Sequence, residues 1–311
     1  MSEMLHSSLQ PDLRRAILEE ASQQTEPATY ESYLGERLEV ENAIVDFSRN
    51  HGEGTAWTYS TGDYRDRYVP NLHPSSGSLS GMELLWTKQL DRALKAKGDQ
   101  PVVLLDFGGG MGFSAMRVAS QPIYKKAIQD RRLVVAVSNL GFMPQDEPDA
   151  DGYTKIARLM QADNQARRFT PQPYTEQDLR FVQDNQNLVT FVDASVLELY
   201  NDTSSAPVPL KNNIDILHES RALTHTQVPD IALATFAGLL SPGGVLYLDV
   251  RRMSGLRGDA IDLADGRTVT IDEKYREQRE LSLEVGLSLL PRMGVVPTSE
   301  QPGTKTYVRH T

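Results

Sequence analysis

The segment with the most evident chemistry is a glycine cluster that follows an apolar run. Residues 102 to 107 read VVLLDF, and residues 108 to 112 read GGGMG. Glycines after a strand let the backbone turn tightly and approach a ligand, while the amide groups that open the next helix favour an anion. The dinucleotide fingerprint G-x-G-x-x-G does not fit, because Phe113 stands where its third glycine should be. The cluster fits D-x-G-x-G-x-G instead, beginning at Asp106.

Asp106 is informative in its own right. A carboxylate near the end of an otherwise apolar strand is costly to bury without a partner, and this indicates a functional role. The alternative is that Asp106 caps the turn that follows it.

Histidines are concentrated in residues 218 to 225, which read HESRALTH and hold two of the six in the chain. Histidine is the natural proton acceptor near neutral pH, so His218 and His225 are predicted to act as a general base or to position a substrate. Glu219 would orient a histidine or anchor an amine, and Arg221 would clamp a carboxylated substrate. In the competing interpretation, His218 packs against a cofactor or the backbone and His225 lies on the surface.

A loop rich in aromatic residues lies at residues 51 to 80. It combines glycine, proline and serine with one tryptophan and three tyrosines. Such a loop could close over a ligand and exclude water, so Tyr59 and Tyr64 are predicted to contact the substrate. The alternative is a strap whose aromatic side chains pack on the domain beneath it.

From residue 101 onward, short apolar runs alternate with helical stretches, which predicts a doubly wound α/β fold with a mostly parallel sheet. We expect seven strands, near residues 102–107, 133–137, 188–192, 214–217, 245–250, 295–298 and 304–309. The last two are joined by a turn at 301–303, which indicates an antiparallel C-terminal edge strand. Helices are expected at residues 11–24, 30–50, 81–97, 112–120, 151–168, 175–186 and 273–290.

Two units are predicted along the chain: a helical N-terminal cap or lid segment at residues 1–98 and the α/β domain at 99–311. Insertions are expected at about 141–187 and 251–272, the second holding a small hairpin around residues 265–266. Insertions after strand ends fall on the edge where doubly wound folds bind ligands, so both would shape a pocket.

Composition excludes several classes of function. The 311 residues carry 32 Lys and Arg against 42 Asp and Glu, a formal charge of −10, which argues against a nucleic-acid partner. Zero cysteines exclude thiolate metal sites and a cysteine nucleophile, and nothing at metal-ligand spacing completes a zinc site. No apolar stretch approaches roughly 18 residues and the N-terminus is polar, so we expect a cytoplasmic protein with no membrane partner.

The glycine cluster resembles motif I of the class I S-adenosylmethionine-dependent methyltransferases, and the resemblance extends over roughly residues 100 to 311. Val192-Asp193-Ala194 is similar to the family's Asp-Ala step that holds the adenine. Residues 239 to 244, LLSPGG, are similar to its L-x-P-G-G turn, and residues 213 to 218, NIDILH, resemble its fourth strand. Three ordered motifs are more specific than any one of them.

The resemblance implies a Rossmann-like fold and S-adenosyl-L-methionine as the cofactor. Gly108 and Gly110 would let the backbone pass under the cofactor, and Asp106 would offset its ammonium group directly or through water. The residues that the resemblance assigns to the cofactor are Asp106, Phe107, Gly108, Gly110, Gly112, Asn139, Leu140, Asp193, Ala194 and His218.

The end of the second strand departs from the family pattern. Family members usually place an acidic residue there to bond both ribose hydroxyls, but this chain has Asn139. An amide offers one acceptor and a donor pair, so Asn139 could serve with weaker binding. Alternatively, Asp146, Glu147 or Asp149 reaches back from the insertion.

The leading hypothesis is a methyltransferase that acts on a small molecule, preferably on oxygen, in natural-product or specialised metabolism. Methyl transfer is an in-line displacement, so holding the nucleophile and the sulfonium in line supplies most of the barrier reduction. Two alternatives stay open: the same fold using the cofactor for aminopropyl transfer or cyclisation, and a non-catalytic cofactor-binding protein. The sequence also leaves open a homodimer in which one subunit completes the other's pocket.

Overall fold

A computed structural model describes residues 9, 11–51, 75, 79–139, 156–157, 160–161, 174–200, 209–219, 223, 226–248, 260–262, 268–270, 273–301 and 304–310. The helices are α1 (Pro11–Ala21), α2 (Pro27–His51), α3 (Gly81–Lys97), α4 (Phe113–Ala119), α5 (Pro122–Gln129), α6 (Glu176–Asn185), α7 (Val196–Tyr200), α8 (Pro229–Leu239) and α9 (Glu273–Arg292). The strands are β1 (Val102–Phe107), β2 (Leu133–Asn139), β3 (Thr190–Asp193), β4 (Ile214–Glu219), β5 (Leu240–Leu248), β6 (Ala260–Asp262), β7 (Thr268–Thr270), β8 (Val295–Gln301) and β9 (Thr304–Arg309).

Local signals explain where two of the helices begin. The Ser80 side chain accepts a hydrogen bond from the Glu83 amide, and the Glu83 carboxylate accepts one from the Ser80 amide, which together fix the start of α3. Thr175 and Asp178 form the same reciprocal pair at the start of α6. These side chains satisfy amide groups that have no partner within the first turn of a helix.

Seven of the strands form one sheet in the order β3-β2-β1-β4-β5-β9-β8, which confirms the predicted doubly wound α/β fold. The pairs from β3 to β5 are parallel, whereas β9 runs antiparallel to both β5 and β8. The terminal pair therefore lies at the edge of the sheet as predicted, but the antiparallel strand is not the edge strand itself. β9 lies between β5 and β8, so β8 is the edge strand.

One detail differs from the sequence-based predictions. The LSPGG segment, predicted as a turn before the fifth strand, belongs to β5, where the pairing with β4 shifts register between Ile214 and Ile216. Of the helix predicted at 151–168, residues 156–157 and 160–161 are described and are helical. β6 and β7 pair antiparallel, which confirms the predicted hairpin.

Alternating side chains of the strands build a core on each face of the sheet. Val103, Leu105 and Phe107 of β1 pack in the core that includes residues of α1, α2, α7, α8 and α9. Val102 and Leu104 pack in the other core, with residues of α3, α4, α5 and α6. The helices before residue 98 thus contribute to both layers, and the division into two units at that residue stays a prediction. No helix in the described part of the chain is long and apolar enough to span a membrane.

Candidate active site

The candidate site lies where the strand order reverses. β2 and β3 lie on one side of β1, and β4 and β5 lie on the other. At such a switch point the connections leave in opposite directions and open a crevice at the carboxyl ends of the two central strands. In the register of β1 and β4, Asp106 lies opposite His218 and Phe107 lies opposite Glu219. The glycine cluster and the histidine-containing segment therefore both begin at this crevice.

Asp106 and His218 contact each other directly. His218 Nδ1 lies 2.8 Å from Asp106 Oδ1, and the two side chains are 9% and 3% exposed. Because a carboxylate only accepts hydrogen bonds, Nδ1 carries the proton of this contact and Nε2 is the nitrogen that can accept another. A buried carboxylate needs a polar partner, and the partner of Asp106 is His218 on the neighbouring strand.

Trp86 of α3 packs against the same histidine. The ring centroids of Trp86 and His218 are 5.0 Å apart with their planes at 65°, an edge-to-face contact. Trp86 is 1% exposed, and its Nε1 has no hydrogen-bond partner among the described residues. The sequence analysis did not single out Trp86, since its helical spacing with Leu90 and Leu94 indicates only a core-facing stripe.

The glycine cluster folds down over Asp106. Gly108, Gly110 and Gly112 have φ angles of 73°, 59° and 73°, a left-handed backbone that glycine adopts without strain. A Cβ atom on Gly109 would lie 2.3 Å from Asp106 Oδ2, so any side chain there would collide with the carboxylate. Residue 109 must therefore be glycine for the loop to close in this way.

Two neighbouring strands hold this loop in place. The Gly108 amide donates to the Ser138 carbonyl of β2 at 2.7 Å. A Cβ atom on Gly112 would lie 3.0 Å from the Phe191 ring of β3, so the end of the loop packs closely on that strand. The glycine loop is thus held by contacts with both β2 and β3.

The ends of β2 and β3 form the other half of the site. Asn139 pairs with Asp193 in the register of these strands, and the next residue, Ala194, is buried. The Ser138 hydroxyl donates to the Ala194 carbonyl at 3.5 Å, which ties β2 to the turn after β3. The structure therefore brings the predicted cofactor residues of three strands to one edge of the sheet.

Glu219 lies on the other face of β4 from His218, because successive side chains of a strand point to opposite faces. It is fully buried, and its Oε1 accepts a hydrogen bond from the Leu223 amide at 2.8 Å. The carboxylate that contacts His218 is Asp106. Because His225 lies outside the described residues, the roles of orienting a histidine or anchoring an amine stay predictions for Glu219.

Several predicted site residues lie outside the described part of the chain. They are Tyr59, Tyr64, Leu140, Arg221 and His225, together with Asp146, Glu147 and Asp149 as ribose alternatives. Ser75, near the end of the aromatic-rich loop, is described. Its hydroxyl donates to Asp178 Oδ1 at 2.6 Å and its amide donates to the same oxygen at 3.1 Å. This end of the loop is therefore attached to the start of α6.

A buried ion pair joins α3 and α4, two helices that pack on the same face of the sheet. Arg117 of α4 donates from Nε to Glu83 Oε1 of α3 at 3.0 Å, and its Nη2 contacts the same oxygen. α4 follows the glycine cluster and α3 carries Trp86, so the pair fixes the loop relative to the Trp86 and His218 rings.

Buried charges also anchor the chain that leaves β4. Glu41 Oε2 of α2 accepts from the Gln227 amide at 2.6 Å. Arg279 of α9 donates to the carbonyls of Thr226 at 2.8 Å and Leu223 at 2.7 Å. Burial raises the pKa of Glu41 and lowers the pKa of Arg279 to about 10, since both charges are removed from water. Helices α2 and α9 thus bind the backbone at residues 223, 226 and 227, which lie between β4 and α8.

No protein-family model and no curated protein matches the sequence. Solved structures similar to this chain include the O-methyltransferase NovP, with 12% identity, a TM-score of 0.41 and coverage of 88% of this chain and 97% of NovP. The CurJ carbon methyltransferase is 12% identical with a TM-score of 0.38, and the match covers 74% of this chain and 54% of that one.

A third similar structure is the Haemonchus contortus phosphoethanolamine N-methyltransferase 2 in complex with S-adenosyl-L-methionine. It is 16% identical with a TM-score of 0.32, and the match covers 70% of this chain and 39% of that one. Methyltransferases of the kind that the sequence resembles are thus among the solved structures similar to this chain. Similarity at this level transfers no activity, so the function of this chain rests on its own residues.

Proposed function

We propose that this protein is an S-adenosyl-L-methionine-dependent methyltransferase that acts on a hydroxyl group of a small molecule. The observation that carries the proposal is the glycine loop that closes over Asp106 at the switch point of the sheet, directly beside His218. Doubly wound folds bind their ligands in the crevice at this point.

The residues present fit the cofactor. Residues 108–110 and 112 are glycines at the end of the central strand, and the one side chain among them, Met111, is buried in the core. This leaves exposed backbone that suits the approach of the methionyl part. Asp193, the last residue of β3, and Ala194 after it would hold the adenine, and Asn139 would bond the ribose. When bound, the cofactor supplies an electrophilic methyl group on a positively charged sulfur.

The chain itself would contribute position and a proton acceptor. Most of the barrier reduction in a displacement comes from alignment of the reacting atoms, which a rigid site at the strand ends provides. His218 would take the proton of an acceptor hydroxyl, a task worth about 10² to 10⁴ in rate. A base is useful for a hydroxyl and unnecessary for a carboxylate, so His218 favours oxygen methylation of an alcohol or a phenol.

The small-molecule part of the proposal rests on charge. A formal charge of −10 opposes the phosphate backbone of a nucleic acid. Doubly wound folds bind small molecules in the crevice at the carboxyl ends of their strands, which is where Asp106 and His218 lie.

Calorimetric titration tests the proposal directly. The wild-type protein is expected to bind S-adenosyl-L-methionine and S-adenosylhomocysteine saturably and to show no binding of NAD. Gly109→Ala is expected to abolish binding of both, since its Cβ would displace the Asp106 carboxylate and lift the loop. Gly238→Ala is the matched control, because a Cβ at that helical position meets nothing within 4 Å.

A labelled-methyl screen against cell extract then identifies the acceptor. Transfer of label to a small molecule, with release of S-adenosylhomocysteine, is the expected result. Release of methylthioadenosine would indicate aminopropyl transfer instead, and cofactor binding without any turnover would indicate a binding protein. Saturable binding of NAD in place of the methyl donor would sink the assignment altogether.

A further inference from the structure

The pairing of Asp106 raises a question about what this carboxylate does. The resemblance assigns it to the ammonium group of the cofactor, yet in the structure its side chain is 3% exposed. Oδ1 is bonded to His218 Nδ1, and Oδ2 lies directly beneath Gly109. The contact that the structure shows is thus with a base, and the glycine loop covers the carboxylate on its other side.

We infer that Asp106 is a positioning residue for His218, which it holds with the proton on Nδ1 so that Nε2 accepts the proton of the methyl acceptor. This inference rests on the proposed function. In the step it describes, the acceptor oxygen forms a bond to the methyl carbon, and the bond from that carbon to sulfur breaks with its electron pair left on sulfur. The acceptor O–H proton moves to Nε2, and the resulting imidazolium is neutralised by the Asp106 carboxylate.

The residues around His218 hold its imidazole ring in one orientation. Its register neighbours on the two adjacent strands are Asp106 of β1 and Tyr247 of β5, and Trp86 of α3 contacts the ring itself. Burial raises the pKa of Tyr247, so this phenol stays neutral near neutral pH. Glu83 of α3 and Arg117 of α4 form an ion pair, so their opposite charges compensate each other. Among the described residues, Asp106 is therefore the carboxylate in contact with His218, where it would compensate a charge on the ring.

Tryptophan fluorescence provides a test that needs no acceptor. The chain has two tryptophans, so Trp57→Phe leaves Trp86 as the only tryptophan. Protonation of an imidazole in contact with an indole quenches its emission. A pH titration of this variant is expected to show a fluorescence step that disappears in His218→Asn.

Adding Asp106→Asn to the Trp57→Phe background is expected to move the midpoint of that step to lower pH by one unit or more, a tenfold loss of proton affinity. Removing an opposite charge in hydrogen-bond contact has an effect of this size. The affinity for S-adenosyl-L-methionine is expected to stay within threefold. A midpoint that does not move, or a step that survives in His218→Asn, would overturn the inference.

Asp193→Asn is the matched control. This carboxylate lies at the same edge of the sheet, but β3 is three strands from the β4 strand of His218, roughly 14 Å by strand spacing. It should weaken cofactor binding and leave the fluorescence midpoint unchanged. If Asp106→Asn behaves like Asp193→Asn, then Asp106 is a cofactor ligand and the inference is wrong. If the wild type binds no cofactor but the midpoint shifts as expected, the proposed function fails and the pairing of Asp106 with His218 stands.

A second measurement does not depend on the folding of any variant. In wild-type protein labelled with ¹⁵N-histidine, the neutral form of His218 is expected as the tautomer with the proton on Nδ1. A proton on Nε2 in that form would contradict the inference.

Discussion

Two buried aspartates of this protein have very different partners. Asp230, at the start of α8, accepts from the Tyr30 hydroxyl at 2.7 Å and from two nitrogens of Arg37 at 3.3 Å each. Asp106, near the end of β1, contacts His218 Nδ1 at 2.8 Å. Both carboxylates are removed from water, but the cation beside Asp230 cannot lose its proton whereas the base beside Asp106 can.

The difference separates a structural cluster from a site. The Asp230 cluster joins α2 to α8 with a permanent charge, and desolvation makes it costly to disturb either partner. The Asp106 pair lies at the switch point of the sheet, where doubly wound folds bind their ligands. Removing the partner of Asp230 should therefore lower stability, whereas removing the partner of Asp106 should lower turnover.

The largest expected effect is on the Asp230 cluster. Arg37→Met would leave a buried carboxylate without its cation, and we expect a loss of about 3 to 5 kcal/mol in the free energy of unfolding. Urea denaturation measures this loss. Arg14→Met, which breaks a half-exposed pair with Glu31, is the control and should cost about 1 kcal/mol or less. Equal losses in the two variants would refute the distinction.

A smaller loss is expected from Tyr30→Phe. This change deletes one hydrogen bond to the same carboxylate while keeping the ring, so we expect a loss of about 1.5 to 3 kcal/mol. Burial, followed by the charge of Asp230, raises the pKa of Tyr30, so its hydroxyl remains a donor throughout the working range of pH. The same urea titration measures it. A loss as large as that of Arg37→Met would show that the hydroxyl, and not the cation, dominates the cluster.

His218→Asn should lower turnover strongly and stability only slightly. The Asn side chain keeps an N–H group near Asp106, so stability should fall by only about 0.5 to 1.5 kcal/mol, the value of the lost contact with Trp86. Turnover on an identified acceptor should fall by about 10² to 10⁴. Steady-state kinetics at saturating cofactor and urea denaturation measure the two effects. Unchanged turnover would exclude His218 as the base.

The smallest effect concerns a third buried carboxylate, Asp178, which accepts from the neutral donors Ser75 and Thr175. Burial acts to raise the pKa of Asp178, but these hydrogen bonds outweigh it and hold the pKa below its ordinary value. Its contribution to stability is therefore present above the unfolded-state pKa of about 3.9 and is lost as the pH falls below it.

Asp178→Asn should accordingly lower the urea midpoint at pH 7, and the gap from wild type should shrink below about pH 4. Asp184→Asn, an exposed site on the same helix, serves as the control and should show no such gap. If the difference in urea midpoint between wild type and Asp178→Asn is as large at pH 3 as at pH 7, the hydrogen bonds of Asp178 do not lower its pKa as stated.

The fold was predictable to the extent that its signals are local. The predicted bounds of α3, β1 and β9 match the structure, since each is delimited by an apolar pattern between turn residues. The start of β5 was not predictable, because its glycines read as a turn and only the pairing with β4 extends the strand to Leu240.

The candidate site was predictable as a set of residues but not as a set of contacts. The glycine cluster and His218 stand out by composition and position. Trp86 does not, since a buried tryptophan on a helix usually belongs to the core. Glu41 and Arg279, which anchor the chain after β4, lie 186 and 53 residues from the backbone groups that they bind.

By itself, the sequence determined the alternation of strands and helices and the requirement for glycine after β1, because these depend on backbone geometry and on neighbours within a few residues. Only the tertiary structure decided that Asp106 contacts His218, 112 residues away. That contact exists because the parallel register of β1 and β4 places the two residues opposite each other on one face. Register is set by how whole strands pack, which no local pattern contains.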